Sequence, residues 1–176
     1  MGFFSTVSAA SEATKMSNKI TKVSSKFINL LITNSIPVKT HDSLNIIMMI
    51  KSNYDFTALM LIHSQKSNDF KEKLLGLVCH NIAESAKEII NPLVGDIVED
   101  LHDIFLPNGE YDKVFRSWMT EWKQNFSGLT EINFEIEENT STILMDYLNQ
   151  QFDLSSNQSR DLKTTIFEML KNDNYS

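Results

Sequence analysis

The sequence predicts a mostly α-helical bundle of about six to seven helices in a single domain, with one short strand-like segment. The alternative is an α+β arrangement with a small sheet from 44–62 and 131–136. Three observations point this way. Apolar residues recur at three- and four-residue steps over most of the chain, the period of a helix with one buried face. Only three prolines and five glycines punctuate it, mostly where that periodicity stops. The apolar fraction of 41% and charged fraction of 22% over 176 residues suit one folded domain able to bury a core without disulfides.

The first predicted helix runs from about Ser8 to Ile32 and ends ahead of Pro37. At 100° per residue Met16, Ile20, Val23, Phe27, Leu30 and Leu31 share an arc of about 100°, and Lys15, Lys19, Lys22 and Lys26 lie within about 60° beside it. This basic amphipathic segment, residues 1–36, reads as an arm, and residues 37–176 as an acidic helical body. In Leu44–Ile62 the residues Leu44, Ile46, Ile47, Met48, Met49 and Ile50 would ring a helix on nearly every side, so the segment must be buried. Two helices are expected there, a buried hairpin around Lys51-Ser52-Asn53 being the other option.

Asn68 or Asp69 can cap the next helix, with Leu74, Leu75, Val78, Ile82, Ala86, Ile89 and Ile90 on one face and an end near Asn91. Pro92 suits the first turn of a separate helix carrying Leu93, Val94, Ile97, Val98, Leu101, Ile104 and Phe105 inward, until Pro107-Asn108-Gly109 turns the chain. Tyr111, Val114, Phe115, Trp118, Met119, Trp122 and Phe126 then predict an aromatic-faced helix over Glu110–Phe126. Glu131 to Ile136 alternates polar and apolar, the period of a half-buried strand. Two further helices are expected, over Ser141–Phe152 and Asn157–Leu170.

The net charge of −7 disfavours a nucleic-acid partner, since phosphate-backbone binders carry a basic stripe and net positive charge. Its distribution is uneven. Residues 1–66 hold seven lysines against Glu12, Asp42 and Asp55, while residues 67–176 hold nine basic against twenty acidic residues. Residues 96–138 alone hold eleven acidic against three basic. Asp96, Glu99, Asp100 and Asp103 share one arc of a helix, and Glu135, Glu137 and Glu138 follow. The plain reading is a solvated face; the functional one is an acidic surface that steers towards a basic protein partner.

Met1-Gly2-Phe3-Phe4-Ser5-Thr6 fits the pattern for acylation at Gly2. One acyl chain holds a membrane only marginally and needs a second signal, which Lys15, Lys19, Lys22 and Lys26 could supply on an anionic surface. Gly2, Phe3, Phe4 and those lysines are therefore the candidate membrane-facing set. His80 with Glu84, and Glu99 with His102, have helical spacing, but His80 and Glu84 fall on the polar side with Lys73 and Lys87, whereas a ligand set should converge inward from several helices, so no metal is expected. Cys79 falls on an apolar face, where a thiol is inert, and Trp118 and Trp122 read as core. No cofactor or catalytic motif is recognised, and no run of about 20 apolar residues could span a bilayer. The reading is a non-enzymatic, cytoplasmic interaction protein, inhibitor-like, immunity-like or an adaptor. A peripheral membrane protein is the second class and an enzyme with dispersed residues the third.

Overall fold

The computed structural model describes residues 2–94 and 135–172, without the side chains of residues 2–7, 56, 60, 61, 135–137, 139 and 140. Among the described residues the chain is helical, in five helices: α1 (Gly2–Thr33), α2 (Thr40–Thr57) continued by a π turn (Ala58–Ile62), α3 (Asn68–Val94), α4 (Glu135–Gln151) and α5 (Ser156–Asn172).

The apolar stripe of α1 is buried as its spacing requires, from Ala9 and Ala13 through Met16, Ile20, Val23 and Phe27 to Leu31. It belongs to the same core as the apolar faces of α2 and α3. The helix stops at Ser35, whose φ of 61° is left-handed. There the Ser35 N–H donates to the Ile32 carbonyl and the Ile36 N–H to the Leu31 carbonyl, at 2.9 and 3.0 Å. That pair of bonds is the Schellman closure, and the buried Ile36 supplies its apolar contact. Pro37 then prevents continuation.

The segment 44–62 is buried over most of 44–55, as expected, but it is one helix with a π turn rather than two helices or a hairpin, and Ile62 at its end is exposed. It starts where the Lys39 N–H donates to Asp42 Oδ2 (3.0 Å), the returning half of a capping box. From Asp42 to Asp55 only Asn45 and Met49 escape full burial. The polar trio at its centre does not break the helix because its groups bond locally: Lys51 pairs with Asp55 one turn on, and Ser52 Oγ donates to the Met48 carbonyl at 2.8 Å.

α3 passes through Pro92 instead of stopping before it. Proline removes one intrahelical donor and leaves the carbonyl four residues earlier, on Glu88, unpaired. Both Glu88 and Pro92 are exposed, so water can satisfy that carbonyl. The strand-like reading of 131–136 is also corrected in part: Glu135 and Ile136 open α4, and Glu131 to Phe134 lie outside the described residues. Acidic residues there favour a helix start because they oppose the positive end of its dipole. The remainder of the helix expected after Pro92 and the aromatic helix of Glu110–Phe126 lie outside the described residues too, and the expected count of six to seven is not what the described residues show.

α4 and α5 form a helical hairpin. Ser155 and Gln158 make a reciprocal capping box, the Ser155 N–H donating to Gln158 Oε1 (3.0 Å) and the Gln158 N–H to Ser155 Oγ (3.3 Å). Leu144, Met145 and Leu148 of α4 and Leu162, Ile166 and Leu170 of α5 are buried. α2 runs back along α1, since His63 after its π turn lies beside Glu12 near the start of α1. His63 also touches Phe70 of α3, and Cys79 further along α3 reaches Lys51 midway up α2. α3 is therefore antiparallel to α2 and parallel to α1.

Candidate functional site

The acidic set divides at the boundary of the described residues. Asp96, Glu99, Asp100 and Asp103 lie outside them. Glu135, Glu137 and Glu138 fall in the first turn of α4, where Glu138 is exposed and its carbonyl accepts the Ser141 hydroxyl at 2.7 Å. On α1, Gly2, Phe3 and Phe4 form the first turn. Lys15, Lys22 and Lys26 are exposed and Lys19 is half-buried. Lys15 Nζ is 4.0 Å from Glu12 Oε2, and Lys19, Lys22 and Lys26 also have partners. The lysines thus share one side of α1 as their spacing predicts. His80 and Glu84 are exposed on α3, and among the described residues no group of three metal-ligating side chains converges.

Three polar clusters escape a periodicity reading. The first is at the centre of α2. Lys51 is 3% and Asp55 0% exposed, and the two are directly hydrogen-bonded. Burial pushes the Lys51 ammonium down, but the Asp55 carboxylate and the Cys79 sulfur outweigh it and hold Lys51 above its ordinary range. Cys79 is buried, as its position on the wheel predicts, yet it faces an ammonium rather than wholly apolar neighbours.

The second cluster joins α2 to α4. Asp42 Oδ1 accepts the Tyr147 hydroxyl at 2.9 Å and lies 3.1 Å from His41 Nε2. Asn45 Nδ2 donates to the same Tyr147 oxygen at 3.2 Å.

No known family, curated protein or solved structure matches the chain.

The third cluster lies where α1, the π turn and α3 meet. His63 Nε2 is 3.6 Å from Glu12 Oε1, and its ring meets Phe70 edge-on with centroids 5.1 Å apart. Separately, the hydroxyls of Ser17, Thr21 and Ser24 are buried along one edge of α1 without a hydrogen-bond partner. Such groups forgo their bonds to water, at about 1–3 kcal/mol each. Sequence reading could find the Lys51/Asp55 pair only through its four-residue spacing within an otherwise apolar run; nothing in the local sequence joins Asp42 to Tyr147.

Proposed function

We propose that the chain is a non-enzymatic interaction protein whose acidic surface docks a basic protein partner, as an inhibitor, an immunity-like protein or an adaptor. The observation that carries this reading is the charge division: eleven acidic against three basic residues over 96–138, and twenty against nine over 67–176. An acidic field of this kind steers a basic partner and sets its orientation. The described surface supports a charge-led contact, because among its large apolar side chains Ile62 is the exposed one.

The test is a pull-down with the full chain at low and high salt. A basic partner is expected at low salt and should be lost at high salt, and neutralising Asp96, Glu99, Asp100 and Asp103 together to Asn or Gln should abolish its capture. A partner held equally at both salt concentrations, or held equally by the neutralised variant, overturns the acidic-surface reading.

The second reading, peripheral attachment to an anionic membrane, is supported by the exposure of Lys15, Lys22 and Lys26 along one side of α1. The apolar side of the same helix is spent on the core. Attachment would then rest on the lysines and an acyl chain at Gly2, not on laying α1 into the lipid. Flotation of the full chain with anionic but not neutral vesicles is the expected outcome on this reading, and sedimentation with neither removes it.

A further inference from the structure

His63 ties α1, the end of α2 and α3 together at a single ring. It ends the π turn, its N–H donating to the Ala58 carbonyl at 2.8 Å. Its side chain is 10% exposed, packs edge-on against Phe70 of α3 and faces the carboxylate of Glu12 on α1. Nε2 is buried and makes no hydrogen bond. A neutral imidazole can leave that nitrogen as a bare acceptor facing carboxylate oxygen, whereas an imidazolium carries a donor on both nitrogens. We infer that His63 and Glu12 form a proton-operated latch at this corner: a proton on the imidazole turns Nε2 into a donor aimed at Glu12 and draws the start of α1 onto the α2–α3 turn.

The neighbouring charges set its strength. From α1, Lys15 lies 4.0 Å from the other Glu12 oxygen and competes for the carboxylate. From the turn into α3, Lys66 sits over the Phe70 ring at 5.7 Å. Lys71 Nζ on α3 donates to the Ser64 carbonyl at 3.1 Å. All three are cations, and Asp69 of α3, next to Phe70, is paired with Lys73 at 2.8 Å, so Glu12 is the carboxylate that faces the ring. The backbone carbonyls at the end of the π turn add a partial negative charge beside it.

The sign follows from the partner. The contact strengthens the fold only while the ring carries a proton, so its benefit belongs to the acid side and is absent once the ring is neutral.

A double-mutant cycle on the full chain tests this, with Glu12→Gln, His63→Gln and the pair, unfolded by urea at about pH 5.5 and about pH 8, either side of the imidazole range. The expected coupling at the acid pH is roughly fivefold in the folding equilibrium constant, the upper end for an ion pair that is partly open to water, and close to none at the higher pH. Equal coupling at both overturns the latch. Should His63→Gln fail to fold, Glu12→Gln alone decides: its deficit against the parent chain shrinks from acid to alkaline pH if the latch exists, and stays constant if it does not.

Discussion

Lys51 carries a full charge into the centre of a helix that other helices enclose, and its two partners decide what that does. An isolated buried ammonium is expensive to desolvate; beside Asp55 and Cys79 it is held charged instead. Removing one partner leaves the other charge uncompensated, so Asp55→Ala should cost about 3–5 kcal/mol in urea unfolding. The double change Lys51→Met with Asp55→Leu should recover most of that loss, because an apolar pair of similar volume does not have to be desolvated. The pH dependence is the mirror of the usual carboxylate case. A lysine held above 10.5 in the folded chain contributes stability that is complete below that value and falls away as pH rises through the folded one. Alkaline unfolding of the parent should therefore be steeper than that of Lys51→Met. Ser24 poses the opposite case, a fully buried hydroxyl with no partner. Ser24→Ala removes that loss and adds helix propensity, so thermal unfolding should show a gain of about 1 kcal/mol.

The helices end where local chemistry ends them, and two of those ends are open to measurement. Ser35 holds a left-handed φ that glycine adopts at no steric cost. Ser35→Gly should stabilise the chain by about 0.5–1 kcal/mol, the relief of strain exceeding the added freedom of the unfolded chain. Ser155→Ala, which removes the hydroxyl that accepts the Gln158 N–H and leaves the backbone half of the box in place, should cost about 1 kcal/mol and fray the start of α5. At this scale much was legible in the residues. The stripes of α1 and α3 were legible with most of their inward faces, Leu30 and Leu75 being half-buried instead, because a 3.6-residue repeat reports burial directly. Pro92 was misread because the loss of one hydrogen bond was taken to end the helix, whereas Glu88 and Pro92 lie on its exposed side, where water can replace that bond. Glu135 and Ile136 were misread because a two-residue alternation that short carries less weight than acidic residues at a helix start. The Leu44–Ile62 segment defeated periodicity outright, since a helix buried all round has no polar face to count.

The candidate site was less legible than the fold. The lysine side of α1 lies where its spacing put it, but contacts between distant residues leave no local trace, and Tyr147 with Asp42 is one such contact. Tyr147→Phe removes a bond to a buried carboxylate that also caps α2. It should cost about 1–3 kcal/mol and loosen the α4–α5 hairpin, read as faster amide exchange there than in α1.

The enclosure of α2 also has a consequence for the order in which the chain can be made. Its apolar circumference needs α1 before it, α3 after it, and α4 far downstream; the hydroxyl that closes on Asp42 arrives 105 residues later. During synthesis, at about 5–20 residues per second, that side of α2 stays uncovered for several seconds. Contacts of such long range slow folding and leave sticky surface exposed meanwhile. The nascent chain should therefore depend on a holdase until Tyr147 has left the ribosome, and C-terminal truncations that remove α4 should aggregate rather than persist as a smaller fold.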